Sequence, residues 1–218
     1  MKKTLVFVIA LVLAMGMMAS AATYTADLPE GWNFISVPLV PFDSAVESVF
    51  NGFDFMFGDQ IQTMLGNVGQ AYDGWDPENS DLKNIFIGQG YYFYAIEGGT
   101  LSYEGVADGV PDSQGTMADM WISFPAKGWQ MVGTPFNHDV YVNSDQSDMG
   151  DGDNIFFTDG SSLKNWSEAN DAGWVSSEAQ GSEGTVGYFF NDSCKFEPGK
   201  GYYLETSVDN LAMIVPAY

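Results

Sequence analysis

The chain has 218 residues, and 29 Asp and Glu against seven Lys and no Arg give it a net charge of −22. A chain this poor in cations lacks the groups that bind phosphate backbones and anionic lipid surfaces, which excludes nucleic acid as a partner and disfavours membranes. Its single cysteine, Cys194, cannot build an internal disulfide framework and is expected as a small buried residue.

The N-terminus reads as a secretory signal over residues 1–21. Met1-Lys2-Lys3 is basic, Leu5 to Met18 carries no charge, and Ala19-Ser20-Ala21 supplies small residues at a cleavage point. The apolar run falls short of the roughly 20 residues that span a bilayer. The mature protein is therefore expected to begin at Ala22, to be secreted or held at the cell surface, and not to be inserted in a membrane. Two of the seven lysines leave with the signal, so the remainder is more acidic still.

Beyond the signal, short apolar runs alternate with Gly, Asp, Asn and Ser clusters, the pattern of many short strands and turns. One stretch differs. Ser44-Ala45-Val46-Glu47 has the spacing of a capping box, and Val46, Val49 and Phe50 share a helical face, which predicts a short helix near residues 44–51.

Three motifs recur in the same order. Gly31-Trp32-Asn33-Phe34-Ile35-Ser36-Val37-Pro38-Leu39 aligns with Gly128-Trp129-Gln130-Met131-Val132-Gly133-Thr134-Pro135-Phe136 at an offset of 97 residues. Gly74-Trp75 aligns with Gly173-Trp174 at 99, and Gly88-Gln89-Gly90-Tyr91-Tyr92-Phe93 with Gly199-Lys200-Gly201-Tyr202-Tyr203-Leu204 at 111. The reading is an internal duplication, with a β-repeat over 22–105, a Gly/Asp/Pro/Ser-rich linker over 106–120 and a second β-repeat over 121–218 that carries its additional residues late in the unit.

Strand alternation assigns faces within the motifs. Trp32, Phe34 and Ser36, with Trp129, Met131 and Gly133, are expected to face the core. Tyr91 and Phe93, and likewise Tyr202 and Leu204, are expected inside, with Tyr92, Tyr94, Tyr203 and Glu205 outside. Pro38 and Pro135 end the pairing, because proline cannot donate to a ladder.

The run Gly31-Trp32-Asn33-Phe34-Ile35-Ser36-Val37-Pro38, an inner tryptophan and Gly88-Gln89-Gly90-Tyr91-Tyr92 together resemble a β-domain carried by many exported bacterial and archaeal surface proteins, often in duplicate. The resemblance implies an extracellular location and a β architecture. It implies no activity and no catalytic residues. In the second copy Gln130 stands where the pattern has Asn, and Gly133-Thr134 where it has Ser-x.

Little else points to chemistry. The chain has one histidine, His138, without the context of a nucleophilic triad, and no Gly-x-Ser-x-Gly elbow. The 29 acidic residues could supply a glycosidase carboxylate pair, which keeps a secreted hydrolase as a minor alternative. The densest acidic stretch, Asn143 to Asp159, contains Asp145, Asp148, Asp151, Asp153 and Asn154 with glycines between them. This is oxygen-ligand chemistry for calcium, the only cofactor the residues suggest, although the spacing departs from an EF-hand loop. Trp75, Trp166 and Trp174 lie among Asp, Asn and Gly, and with Tyr92 and Tyr94 they form a candidate ligand-binding set, since aromatic rings with polar neighbours stack on sugars or anchor proteins.

These observations predict an all-β protein of two related lobes of short antiparallel strands, each a sandwich or small barrel. They suggest a non-enzymatic secreted or surface protein with structural or interaction duties, its partner an extracellular protein or glycan. A carbohydrate-binding module is the alternative.

Overall fold

The computed structural model describes residues 21–106, 119–146, 150–189 and 194–217. Nearly all of the expected signal and most of the expected linker lie outside the described residues. Strand makes up 48% of the structure and helix 7%, so the all-β reading holds.

In the N-terminal half, β1 (Ala21–Leu28), β7 (Gly99–Val106) and β3 (Val40–Pro41) form one antiparallel sheet in the order β1-β7-β3. A second sheet has the order β2-β6-β4-β5, from β2 (Gly31–Ser36), β6 (Gly90–Ala95), β4 (Gln60–Leu65) and β5 (Val68–Ala71). Strand β1 starts at Ala21, so cleavage before Ala22 would remove one residue of it.

The C-terminal half contains β8 (Met120–Phe124), β9 (Gly128–Gly133), β11 (Phe156–Thr158), β12 (Leu163–Asn165), β13 (Val175–Gly181), β14 (Thr185–Gly187), β16 (Gly201–Thr206) and β17 (Leu211–Val215). They form two sheets, β12-β11-β17-β8 and β14-β13-β16-β9, while β10 (Val140–Tyr141) pairs with β15 (Lys195–Phe196). The expectation of sandwiches or small barrels is too simple. The four larger sheets, two from each half, are arranged as a four-bladed, propeller-like ring.

Each half has its own apolar core. One gathers Ile35, Val37, Leu39, Tyr91, Phe93 and Leu101, the other Val132, Phe157, Trp166, Tyr202, Leu204 and Met213. Tyr91, Phe93, Tyr202 and Leu204 are buried as the alternation predicts, with Tyr92, Tyr94 and Tyr203 only partly covered and Glu205 exposed.

Within the Gly-Trp strands the facing is the reverse of the expectation. Ile35 and Val37 enter the core of their own half, whereas Trp32 is 53% exposed and Trp129 half-buried. Phe34 is buried, yet its ring contacts are with Tyr92 and with Tyr203 of the other half. The Trp-Phe-Ser face thus meets the opposite half, and its small third residue permits that approach. A Cβ added at Gly133 would collide with Ser36, one at Gly201 with Phe34, and one at Gly90 would lie 2.8 Å from the Val132 carbonyl oxygen.

The first motif does the same local work twice. The Asn33 side-chain amide donates to the carbonyls of Pro29 (2.9 Å) and Gly31 (3.0 Å), closing the turn into β2. Gln130 donates to the carbonyls of Ala126 (2.7 Å) and Gly128 (3.4 Å), which lie at the same sequence distances before it. Gly31 and Gly128 hold φ values of 97° and 126°, a region that only glycine enters freely. In the third motif the tyrosine hydroxyls clamp the preceding loop: Tyr91 accepts from the Phe86 N–H at 2.7 Å, and Tyr202 from the Glu197 N–H at 3.1 Å.

The middle motif has no such correspondence. Gly74-Trp75 follows β5, whereas Gly173-Trp174 precedes β13, the strand that pairs with β16 as β4 pairs with β6. The additional segment of the C-terminal half therefore lies early, as β11, β12 and a helix before β13, and not late.

Helix α1 spans Val46–Val49 inside the predicted 44–51, but without the expected capping box. Asp43 instead accepts from the Ala45 N–H at 3.0 Å and the Ser48 hydroxyl at 2.7 Å. The capping box belongs to an unforeseen helix, α2 (Trp166–Asp171), where Asn165 and Glu168 bond each other's backbone N–H at 2.8 and 3.1 Å.

Candidate functional site

Antiparallel pairing places directly opposite residues on one face of a sheet. On the face of β2-β6-β4-β5 turned away from its core, Trp32 lies opposite Tyr94 and Tyr94 opposite Gln60; Phe34 lies opposite Tyr92 and Tyr92 opposite Gln62. The corresponding face of the other half sets Trp129 opposite Glu205, and Met131 and Gln180 on either side of Tyr203.

The two faces meet in one line of rings. Trp32 lies 5.2 Å from Tyr94 and 5.9 Å from Tyr92, centroid to centroid. Tyr92 stacks on Phe34 at 4.5 Å and approaches Tyr203 at 5.9 Å, and Tyr203 meets the edge of Trp129 at 6.1 Å. These separations are those of favourable tilted, stacked and edge-to-face pairs. The line runs from Tyr94 and Trp32 in one half to Trp129 in the other and so crosses the junction of the two halves. Burial raises the pKa of the Tyr203 phenol, and the neighbouring Tyr92 adds to the rise. The three glutamines Gln60, Gln62 and Gln180 are exposed beside the rings.

Main-chain bonds hold the two faces together. The Ser36 N–H donates to the Gly199 carbonyl at 2.9 Å, and the Gly133 N–H donates to the Gly88 carbonyl at 3.0 Å. These are the same two motif positions used in both directions across the junction. The β4–β5 hairpin adds a one-sided clasp on β9. Its Gly66 N–H donates to Gln130 Oε1 at 2.8 Å, and Asn67 bonds both backbone groups of Trp129, accepting at 2.9 Å and donating at 3.2 Å.

Of the five aromatic candidates, Tyr92 and Tyr94 stand in this line. Trp75 is 73% exposed on the turn after β5, its backbone N–H bonded to Asp73 at 2.9 Å. Trp174 is half-buried against the C-terminal core, with the Lys164 ammonium 5.2 Å from its ring. Trp166 is a correction: it is fully buried, packed on Phe157 and Phe196, and its indole N–H donates to the Ser176 carbonyl at 2.8 Å. The helix cap at Asn165 turns it inward, which its polar flanking sequence conceals. The sequence reading missed Trp32 and Trp129 as surface residues by taking one face of the Gly-Trp strands for core, and it placed Tyr203 outside without including it in the binding set.

In the acidic segment the polar groups bond to nearby chain. Asn143 Oδ1 accepts from the Gly152 N–H at 2.9 Å, and the Asp153 carboxylate accepts from the Ser144 N–H and hydroxyl, each at 2.8 Å. Asn154 donates to the Tyr141 carbonyl at 2.6 Å. Asp145 and Asp151 are exposed, and Asp148 lies outside the described residues. Among the described residues no group of three or more His, Cys, Asp or Glu side chains is placed to hold a metal ion. His138 stacks on Phe136 at 5.2 Å, and Cys194 is buried.

No family model matches the chain, and no curated protein or solved structure matches it.

Proposed function

We propose that the protein is a non-enzymatic, exported interaction protein, secreted or held at the cell surface, built from a duplicated β-unit whose two copies jointly present the binding surface. The observation that carries this reading is the aromatic line from Tyr94 and Trp32 to Trp129, with Trp32 left 53% exposed. Exposed aromatic side chains offer large contact area at low entropic cost, and a surface made by both halves gives their junction a purpose. The equivalent roles of Asn33 and Gln130, and of Tyr91 and Tyr202, support the duplication. The basic, apolar and small-residue segments ahead of Ala22 support export.

The test is retention of purified mature protein on washed cell envelopes from its native host. The wild type should be retained, and Trp32→Ala/Tyr94→Ala should lose at least tenfold in apparent affinity with an unchanged circular dichroism spectrum. No retention of the wild type, or equal retention of the variant, overturns the assignment of this surface.

A further inference from the structure

Resting on that assignment of the aromatic line as the binding surface, we propose that its occupant is an uncharged polysaccharide, laid along the rings from Trp32 on one half to Trp129 on the other. Three features converge on this chemistry.

The first is the line itself. Its rings follow one another at centroid separations of 5.2 to 6.1 Å from Tyr94 through Trp32, Tyr92 and Tyr203 to Trp129, each tilted by 45° to 86° from the next, so that they offer a stepped row of separate ring faces and edges. A pyranose presents C–H groups on its faces and hydroxyls at its edge. A row of partly exposed rings suits repeated C–H faces better than it suits a single compact ligand.

The second is the placement of amides. Gln60 and Gln62 stand beside Tyr94 and Tyr92 across the β4–β6 ladder, and Gln180 stands beside Tyr203 across β13–β16. Each exposed amide offers two donor hydrogens and an acceptor oxygen, the pairing that vicinal sugar hydroxyls require. Their repetition in both halves points to a ligand that repeats.

The third is charge. Neither the rings nor the residues facing them across the ladders include a lysine, and Glu205 opposite Trp129 is acidic. On a chain of net charge −22 such a strip repels polyuronates, sulfated glycans and acidic peptides, and with Glu205 as its one carboxylate beside Gln60, Gln62 and Gln180 it is built for neutral hydroxyl-bearing chains more than for cationic ones.

The experiment is affinity electrophoresis of the mature protein through gels containing soluble β-glucan, α-glucan, mannan, xylan or polygalacturonate. At least one uncharged polymer should retard the wild type, and polygalacturonate should not. Trp32→Ala should weaken retardation at least tenfold with unchanged melting, and Trp32→Phe should restore part of it. Trp129→Ala/Tyr203→Phe should weaken binding of long chains while sparing oligosaccharides too short to cross the junction. Retardation by no uncharged polymer, or equal retardation of Trp32→Ala, overturns the proposal. Envelope retention that survives periodate oxidation of the envelope glycans overturns the polysaccharide and leaves the interaction surface standing. Absence of envelope retention overturns both.

Discussion

At the scale of single residues, the two exposed-looking and buried-looking tryptophans trade places. Trp166 has no solvent exposure and fills the C-terminal core with a satisfied indole N–H, so Trp166→Ala should cost about 3–5 kcal/mol in urea denaturation. Trp32, although part of the recurring motif, is 53% exposed, and Trp32→Ala should change stability by less than about 1 kcal/mol. The tyrosine clamps make a matched pair of tests. Removing either hydroxyl leaves the Phe86 or Glu197 N–H without its acceptor, so Tyr91→Phe and Tyr202→Phe should each cost about 1–3 kcal/mol. Equal stability of wild type and both variants would mean that the clamps only mark the loops. Asp159 supplies a pH test. Hydrogen bonds from the Ser161 and Ser162 N–H groups lower its pKa from 3.8 to about 2. A carboxylate depressed in the folded state stabilises above its unfolded pKa, and the contribution fades as pH falls through the folded one. Wild type should therefore melt above Asp159→Asn at pH 5–7, with the gap closing by about pH 2.

At the scale of elements, what could be read from the sequence was strand identity, and what could not was the second covered face. Alternation in Tyr91 to Tyr94 correctly separates inside from outside because one side chain set enters a core and the other stays partly open. The same rule fails in β2 because both faces are covered, Ile35 by its own core and Phe34 by Tyr203 of the other half. Alternation then states that two faces exist without saying which is the core. Tyr92 and Tyr94 were legible as candidate contacts, but the ring line needed pairing across β2, β6 and β16, which no single segment encodes. The reverse lesson comes from Asn165 and Glu168, a capping signature present in the sequence and obscured by the short helix it starts. The β4–β5 turn yields an element-scale prediction. Gly66 and Asn67 hold φ values of 58° and 65°, the left-handed pair of a type I′ turn. Asn67→Gly keeps the turn and loses the bond from the Trp129 N–H, a cost of about 1 kcal/mol, whereas Asn67→Ala loses the same bond and keeps a Cβ in left-handed backbone without the polar side chain that lets Asn tolerate it, and should cost about 1–2 kcal/mol more. Alanine melting at or above glycine would show that the turn does not constrain the clasp.

At the scale of the whole molecule, the junction decides whether two β-units act as one. Ser36 and Gly133 occupy the same motif position, and each donates its N–H to the glycine that opens the third motif of the other half. They also face each other: Ser36 is 1% exposed, and a Cβ added at Gly133 would strike its side chain. The contact therefore has room for one Cβ, which the molecule places on the N-terminal side. Gly133 carries no positive φ, so alanine there meets a steric obstacle and not a backbone one. Gly133→Ala alone should overpack the junction and destabilise by about 1–3 kcal/mol. Ser36→Gly alone should cost roughly 0.5–1 kcal/mol from added chain freedom within a strand. Combined, the two changes move the Cβ from one half to the other, and the double variant should recover most of the loss caused by Gly133→Ala. The coupling energy from the four-member cycle, measured by urea denaturation, is then nonzero and of compensating sign. Strict additivity would mean that the halves yield to the added methyl by moving apart, and the ring line from Trp32 to Trp129 would lose the rigid junction that sets its spacing.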